Sequence, residues 1–304
     1  MKGGAVMAKK KVIHSLNDRI FNTVNYAILT VILLIILFPL IYTLSASFSD
    51  PKMVTSGKLY FLPVGFNLNS YREVFKNRDI LTGYRNTLFI TAIGTLANMI
   101  LTVCGAYPLS RKDFYGRKVL MMLFSFTMFF SGGIITTFLV VQSLGLMNSW
   151  AALILPGAVS TYNLIIMRTY FMNSVPYELQ EAAYIDGYSN LGILVRVVLP
   201  LSGPILAVIA LYYAVGYWNS YFSAMLYISD RSKYPLQLFL REVLIMNQAQ
   251  NMLDASAEEM ARQAMRAETI KYSVIVVSSV PMLILYPFVQ KFFVKGVMIG
   301  ALKG

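Results

Sequence analysis

Two residue types that catalytic and metal sites commonly need are almost absent from this chain. It contains one cysteine, Cys104, and one histidine, His14, among 304 residues. A disulfide needs two cysteines, a Cys/His metal site needs several ligands, and many nucleophilic mechanisms need a histidine base. The sequence therefore excludes these chemistries, and with them most hydrolase functions.

A polar connection between two apolar runs has residues with strong local preferences. The segment 173–203 reads NSVPYELQEAAYIDGYSNLGILVRVVLPLSG. Pro176 suits a first helical turn, Glu178 favours the positive end of the helix dipole, and Gly187 can take the left-handed conformation that ends a helix. These features predict two short helices on either side of a glycine turn.

The second of these helices has its own start and stop signals. Ser189 or Asn190 can cap it, and Pro200 is expected to end it. Its predicted apolar stripe consists of Leu191, Leu194, Val195 and Val198. A stripe with this spacing predicts a helix with one buried face.

The first helix of the segment has a different character. Ala182 and Ala183 leave its surface flat, whereas Glu181 and Asp186 keep it polar. A short, flat helix with acidic edges is suited to a groove on another protein. We therefore expect this helix to contact a partner.

The composition indicates where such a protein resides. The chain is 57% hydrophobic and 13% charged, with a mean hydropathy of +0.61, whereas roughly a quarter of residues are charged in ordinary soluble domains. Its net charge of +12 comes from 26 basic and 14 acidic residues. A nucleic-acid-binding domain would concentrate such charge on one exposed face, not between apolar runs. We expect a protein of the lipid bilayer that binds no nucleic acid.

Six apolar runs have about the ~20 residues that a helix needs to cross the hydrocarbon layer. The predicted spans are 25–46, 86–109, 119–142, 150–172, 204–227 and 271–293. Glycines and prolines inside them are tolerated where neighbouring helices satisfy the backbone, which predicts a bundle. Gly132-Gly133 is either a flexible point or a site of close packing. We expect the bundle to form one transmembrane domain over 25–293, preceded by an arm, 1–24, and followed by a tail, 294–304.

Basic residues in the short connections indicate the orientation. The connection 110–118 contains four Lys and Arg residues, whereas 143–149 contains no charge, so the first is expected in the cytoplasm. With six crossings, both termini are cytoplasmic. A cleavable signal peptide ending near Ser45-Ala46-Ser47 is the alternative for the first run. The length of that run and its distance from the first residue favour a retained helix.

The predicted spans contain no deeply placed ionisable residue. Arg168 comes nearest, and from the end of the fourth span it can reach the cytoplasmic interface by snorkelling. Carriers driven by ions or protons usually bury such groups, so an ion- or proton-coupled secondary carrier is the less favoured alternative. A membrane enzyme is disfavoured by the missing catalytic clusters. No phosphate-binding Gly-x-x-x-x-Gly-Lys-Ser/Thr motif occurs, so ATP hydrolysis by that route is excluded.

The segment 173–203 resembles a loop of a known protein family. Glu181-Ala182-Ala183, then three residues and Gly187, then nine residues and Val197-x-Leu199-Pro200, resembles the EAA loop of ATP-binding-cassette (ABC) importer permeases. That pattern usually has isoleucine where Val197 stands. Further similarity to the MalG-like carbohydrate-uptake permeases, and among them to the LplC-type subgroup, lies in Phe130-Ser131-Gly132-Gly133, Leu153 to Met167, Gly216-Tyr217-Trp218-Asn219, Tyr234-Pro235-Leu236-Gln237 and Phe293 to Gly300.

The resemblance implies an all-α integral membrane fold of the MetI-like, type I importer kind, in a bacterial cell membrane. It implies a second, different permease subunit, two cytoplasmic ABC ATPases that use ATP and Mg²⁺, and an extracellular or periplasmic sugar-binding protein. The chain itself would bind no cofactor or metal and would not be an enzyme. Its coupling residues toward the ATPases would be Glu181, Ala182, Ala183, Asp186, Gly187, Leu199 and Pro200.

The transported molecule is expected to be a carbohydrate, and an oligosaccharide in particular. Aromatic rings can stack on the apolar faces of sugars, and amides can exchange hydrogen bonds with their hydroxyls. The predicted pathway residues are Gln142, Asn163, Tyr213, Tyr217, Trp218 and Asn219, with Tyr212 and Tyr221 in the same aromatic cluster. An aromatic belt at the membrane boundary is the alternative for this cluster. The segment 228–270 is expected either to meet the binding protein or to be a solvated helix.

Overall fold

The computed structural model describes residues 16–249, 269–287 and 290, and all regular secondary structure in these ranges is helical. The expected all-α fold is confirmed. The helices are α1 (Leu16–Ser47), α2 (Pro51–Thr55), α3 (Asn69–Lys76), α4 (Arg78–Ser110), α5 (Arg117–Phe129), α6 (Gly133–Ser143), α7 (Ala151–Ile154), α8 (Thr161–Ser174), α9 (Tyr177–Ile185), α10 (Asn190–Ile193), α11 (Leu199–Leu201), α12 (Gly203–Trp218), α13 (Phe222–Tyr227), α14 (Leu236–Ala249) and α15 (Thr269–Pro287). Two 3₁₀ turns, Leu155–Gly157 and Arg231–Lys233, and a π-helical turn, Leu194–Val198, complete the described part.

Three helices are individually long and apolar enough to cross a membrane. They are α1, α4 and α15, with 32, 33 and 19 residues and peak hydropathies of 2.8, 1.9 and 1.6. The predicted spans 25–46 and 86–109 lie inside α1 and α4. The predicted span 271–293 overlaps α15, and its residues 288–289 and 291–293 lie outside the described residues, as do 1–15 of the arm, 250–268 and the whole tail.

Three further candidate spans are pairs of helices with a sharp bend between them. The helices α5 and α6 meet at 113°, Ala151–Gly157 and α8 at 55°, and Asn190–Leu201 and α12 at 87°. Such a bend lies inside each of the predicted spans 119–142 and 150–172, whereas the third bend precedes the predicted span 204–227, which is interrupted instead between α12 and α13. The described part of the chain has up to six spans if each bent pair counts as one, and the number of crossings stays a prediction.

The breaks have local causes. Between α5 and α6, Phe130 is extended and Gly133 has a φ of +78°, a conformation that glycine adopts without steric cost. Before α8, the hydroxyl of Ser160 accepts the Asn163 N–H and caps a new helix at 3.4 Å. After α12, Asn219 closes the helix by donating its side-chain amide to the Val215 carbonyl at 2.9 Å.

Helix α4 lies at the centre of the bundle and packs against α8, α12 and α14. Its glycines at positions 83, 94 and 105 recur every eleven residues, about three helical turns, and so face the same side. A Cβ atom added to Gly83 would lie 2.9 Å from the Leu236 Cα of α14, and one added to Gly94 would lie 2.6 Å from the Tyr217 ring of α12. Glycine at these positions is what lets α12 and α14 approach so closely.

The two ends of α4 are fixed by different groups. At the end that leads into the connection 110–118, Arg168 of α8 donates its Nε to the Leu109 carbonyl at 2.9 Å. At the other end, Asn86 is fully buried and donates its amide to the Ser232 and Tyr234 carbonyls at 2.7 and 3.0 Å. Arg168 thus caps a helix at the predicted cytoplasmic side.

Helix α1 is attached to the described bundle only near its C-terminal end. None of its most apolar 18-residue window is buried, and its buried residues are Ser45, Ala46 and Ser47. Its apolar side chains are therefore left for lipid or for another protein to cover.

We expect Gly83→Ala and Gly94→Ala each to destabilise the bundle by about 1–3 kcal/mol, the usual cost of overpacking. The reason is that the added methyl groups would overlap Leu236 and Tyr217. The matched control is Gly216→Ala in α12, where an added Cβ meets no atom within 4 Å. The measurement is the midpoint of thermal unfolding in detergent. Equal midpoints for all three variants would contradict the close approach of α4 to its neighbours.

Candidate functional site

The segment predicted as a helix, a glycine turn and a helix has that structure. Helix α9 follows Pro176, whose extended conformation places it just before the first turn. The φ of Gly187 is +83°, so its predicted left-handed conformation is confirmed. The Tyr188 N–H donates to the Ala183 carbonyl, and the Gly187 N–H to the Tyr184 carbonyl, each at 3.0 Å. This pair of bonds is the Schellman motif, which ends a helix at a residue that tolerates positive φ.

The second half of the loop departs from a regular α-helix. Ser189, one of the two predicted caps, accepts the backbone N–H three residues later at 3.2 Å. Pro200 was predicted to end this helix, and the helical segment Asn190–Leu201 ends one residue later, before the turn at Ser202. Proline is tolerated there since the first residues of a helix have no intrahelical use for their N–H groups. The π-helical turn Leu194–Val198 ends directly before α11, so Pro200 is one of the first residues of that helix.

The buried face of the loop differs in detail from the predicted stripe. Ile193, Leu194 and Val198 are buried, whereas Leu191 and Val195 are exposed. The buried three join a core cluster with side chains of α4, α8, α9 and α12. The inclusion of Leu191 and Val195 in the stripe was therefore wrong. Packing against the bundle, and the wider π turn, decide which residues face inward.

Helix α9 has one face in that cluster and one face free. Ala183 is 6% exposed, whereas Tyr184 is 68% and Ile185 is 83% exposed. Glu181 and Ala182 are also exposed. The expectation of a flat polar surface is therefore wrong, because two large apolar side chains project beside the carboxylate. A free face of this kind, with apolar anchors next to a charge, is suited to a docking interface.

A cleft of about 590 Å³ adjoins the free face of α9. Arg111 at its rim donates to both carboxylate oxygens of Asp113 at 2.8 and 2.7 Å. These bonds hold the pKa of Asp113 below its usual range and raise the pKa of Arg111. The ammonium of Lys112 lies 5.1 Å from the centre of the Tyr177 ring. The connection 110–118 is thereby tied to the start of α9.

A second pocket, of about 300 Å³ and largely open to the outside of the chain, is lined by residues of α4, α8 and α12. It brings together three of the predicted pathway residues, Asn163, Tyr213 and Tyr217. Its other lining residues are Asn98, Leu153, Gly157, Ser160, Tyr212, Gly216 and Ser220. Rings, amides and hydroxyls converge there, and no charged side chain is among the described lining residues.

Some polar groups that line this pocket already make hydrogen bonds within the chain, and others do not. The Tyr213 hydroxyl accepts the Ser160 N–H at 3.1 Å and lies 2.7 Å from the Thr102 hydroxyl. Asn98 donates to the Gly157 carbonyl at 3.3 Å, while its Oδ1 has no partner in the described part of the chain. The side-chain amide of Asn163 makes no hydrogen bond to another described residue. The amide of Asn163 is thus the group available to a ligand, whereas the Asn98 oxygen is buried and has almost no exposed surface.

The other three predicted pathway residues do not line this pocket. Trp218 packs in a second core cluster and donates its indole N–H to the Ser278 carbonyl of α15 at 3.0 Å. Asn219 caps its own helix, and Gln142 is exposed on α6. Asn98 and Ser160 are lining residues that the sequence analysis missed. Like Asn163, Asn98 is a lone amide within an apolar run, and this pattern could have identified it from the sequence.

The connections that contain Trp150 and Arg231 are joined to α4 and to one another by a separate polar network. Arg231 bonds to Asp79 at 2.8 Å and to Glu242 at 2.9 Å. Trp150 donates its indole N–H to the Lys233 carbonyl at 3.1 Å. The segment 228–270, which is predicted either to meet the binding protein or to be a solvated helix, is therefore bound to α4 through its first residues. The part 250–268 of that segment lies outside the described residues.

Known proteins resemble the chain over nearly its full length. The family model described as binding-protein-dependent transport system inner membrane component matches residues 98–299. The polygalacturonan/rhamnogalacturonan transport system permease protein YtcP of Bacillus subtilis is 44% identical over 290 residues, which are 95% of this chain and 100% of YtcP. Protein LplC of the same organism is 40% identical over 296 residues, 96% of this chain and 99% of LplC.

A solved structure agrees with these similarities. It is a subunit of a bacterial ABC transporter involved in the import of the acidic polysaccharide alginate, with a TM-score of 0.82 and 36% identity. The similarity covers 92% of this chain and 99% of that one. The fold and the arrangement of helices described above are therefore those of a known transporter subunit.

Proposed function

The chain belongs to the binding-protein-dependent transport system inner membrane component family, and from this membership we propose that it moves an oligosaccharide through a bacterial cell membrane into the cytoplasm. It is the membrane-spanning permease subunit of an ABC importer. Its family is one of permeases and not of catalytic subunits. The observation that carries the proposal is α9, whose Ala183 is anchored in the bundle core while Tyr184 and Ile185 are free.

In this proposal the free face of α9 docks into a cleft of a cytoplasmic ATPase subunit. Two such ATPases bind ATP and Mg²⁺, and this chain binds neither. The coupling residues are Glu181, Ala182, Ala183, Asp186, Gly187, Leu199 and Pro200. When the ATPases close around ATP they move α9, and the cluster that contains Ala183 passes this movement to α4 and α12. A densely packed interior supports such transmission because it resists compression.

The rest of the assembly follows from the family. A second, different permease subunit pairs with this chain, and an extracellular or periplasmic binding protein delivers the sugar. The termini and the connection 110–118 face the cytoplasm, in agreement with the basic residues there. The exposed apolar surface of α1 supports a further protein or lipid neighbour.

The substrate class is supported by the relatives and by the open pocket. YtcP is described as a polygalacturonan/rhamnogalacturonan permease, and the solved transporter as an alginate importer. In this chain the pocket offers the rings of Tyr212 and Tyr217 and the amide of Asn163 to a polyhydroxylated ligand. A secondary carrier is disfavoured because no ionisable Asp, Glu, Lys or Arg lies among the described lining residues.

We expect Gly187→Val to leave the protein in the membrane but to uncouple ATP hydrolysis from sugar uptake. The reason is that a β-branched residue resists the φ of +83° and would reshape the turn that ends α9. The measurement is the ratio of sugar transported to ATP hydrolysed in proteoliposomes that contain the assembled importer.

The matched control for that variant is Gly116→Val. Gly116 also has a positive φ, +84°, and an added Cβ meets no atom within 4 Å at either glycine. Both variants therefore carry similar backbone strain, but only one lies in the proposed coupling loop. A normal ratio in Gly187→Val, or an equal loss in both variants, would argue against coupling through α9.

Replacing Asn163 tests the open pocket lined by α4, α8 and α12. Asn163→Leu keeps the side-chain size and removes the amide, so we expect the half-saturating sugar concentration for uptake to rise by roughly fivefold, the value of one hydrogen bond of ~1 kcal/mol. The control is Asn219→Leu, since Asn219 caps α12 outside the pocket. Unchanged half-saturation in Asn163→Leu, or the same rise in both variants, would remove Asn163 from the pathway.

The partners can be identified directly. We expect gentle purification of the chain from its native membrane to recover a second permease and an ATPase. Addition of a binding protein loaded with an oligosaccharide should then raise the rate of ATP hydrolysis above that with the unloaded binding protein. Full transport activity of the lone polypeptide would refute the division of labour.

A further inference from the structure

The break before α8 separates two parts of one candidate span that pack in different clusters. On one side, Leu164 and Phe171 of α8 lie in the core cluster that contains Ala183 of α9. On the other side, Ala152 of α7 lies in a separate cluster with side chains of α6 and α13. The residues 157–160 are therefore the point at which α8 can change its angle to α7 without disturbing the packing within either cluster.

Side chains from two neighbouring helices bind the backbone of this break. The Ser160 N–H donates to the Tyr213 hydroxyl of α12 at 3.1 Å. The side-chain amide of Asn98 on α4 donates to the Gly157 carbonyl at 3.3 Å. Because the interior of a bilayer supplies no water to such groups, an unpaired N–H or carbonyl there is costly. The course of the chain through the break is thus restrained by α4 and α12.

The Tyr213 hydroxyl is itself held in place. It lies 2.7 Å from the Thr102 hydroxyl of α4. Since it accepts the Ser160 N–H, its own hydrogen is left to donate, and the Thr102 oxygen is placed to accept it. Tyr213 is 7% and Thr102 0% exposed within this chain alone, so these bonds do not depend on a neighbouring subunit. The phenol is therefore oriented by Thr102 and Ser160 together.

Ser160 passes this restraint on to Asn163. Its hydroxyl accepts the Asn163 N–H at 3.4 Å and caps the first turn of α8. The side-chain amide of Asn163, which lines the open pocket, thus projects from a turn whose start is bonded to Tyr213. A rotation at Ser160 would move that amide relative to the Tyr217 ring, which lines the same pocket from α12.

We propose that Tyr213 is a positioning residue of the sugar pathway, which holds the break at 157–160 and, through Ser160, sets the place of the Asn163 amide in the open pocket. The inference rests on the proposed function for the sugar contact of Asn163. The Tyr213 hydroxyl is not offered to the sugar, because it is engaged by Ser160 and Thr102.

The first measurement is hydrogen exchange at the Ser160 amide in the assembled importer, without sugar or ATP, by mass spectrometry with residue-resolved fragmentation. Tyr213→Phe keeps the ring and removes the hydroxyl, so we expect this amide to exchange roughly fivefold faster, as for the loss of one hydrogen bond. Thr102→Val, which removes only the neighbour of the phenol, should give a smaller increase. The control Tyr162→Phe should give none, since Tyr162 is 55% exposed and its hydroxyl bonds to no other described residue.

The second measurement is a double-mutant cycle on sugar uptake with Tyr213→Phe, Asn163→Leu and the double variant. We expect Tyr213→Phe alone to raise the half-saturating sugar concentration by roughly two- to fivefold, with a change of less than about twofold in the maximal rate per assembled importer. The double variant should have the half-saturating concentration of Asn163→Leu, because the position of the amide has no effect once the amide is gone. A merely structural role of Tyr213 would instead multiply the two effects or lower the maximal rate.

Unchanged exchange at Ser160 in Tyr213→Phe would overturn the proposal, and so would multiplied effects in the double variant. Unchanged half-saturation in Asn163→Leu would also overturn it, because Tyr213 would then have no sugar contact to position. If Tyr213→Phe fails to assemble, Thr102→Val carries both measurements. A wild-type importer without ATP-driven sugar uptake would be a failure of the proposed function, and the exchange at Ser160 would still decide whether Tyr213 holds the break.

Discussion

One cluster of buried apolar side chains joins the loop 173–203 to the interior of the bundle. It contains Ala183 of α9, Val198 of the π turn, Phe171 of α8 and Tyr213 of α12. Ala183 lies on α9, which has a free face, and Tyr213 lines the open pocket. Protein interiors are packed as densely as organic crystals, so a displacement at one side of such a cluster is not absorbed locally. The position of α9 and the shape of the pocket are therefore mechanically linked in the proposed mechanism.

Local signals in the sequence predicted the outline of the loop but not its orientation. Gly187 and Ser189 act on the backbone nearest to them, and their roles in ending one helix and capping the next were predictable from residue type alone. Which face of α9 is buried depends on the bundle behind it. For that reason the exposure of Tyr184 and Ile185 was not predictable from the loop, and the flat surface inferred from the two alanines was wrong.

The residues of the candidate pocket, too, could be predicted only in part from the sequence. Lone amides and tyrosines within apolar runs indicated Asn163, Tyr213 and Tyr217, which the structure brings together. Trp218 was included by composition, yet neighbouring residues on a helix point about 100° apart. It therefore serves the packing against α15, where its N–H is bonded to Ser278. The sequence can identify polar residues within a span, but which of them face the same pocket depends on the rotation of each helix.

Length and hydropathy predicted runs that could cross a membrane but could not predict the bends within them. Each bend frees backbone groups that need partners, since the bilayer interior supplies no water. At the break before α8 the freed Ser160 N–H is bonded by the Tyr213 hydroxyl. Tyr213 thus supports the broken helix, and its hydroxyl, also close to Thr102, is already engaged. Of the tyrosines predicted for the pathway, it is consequently the one best explained as a support for the pocket, which leaves the unbonded amide of Asn163 as the stronger candidate for contact with a sugar.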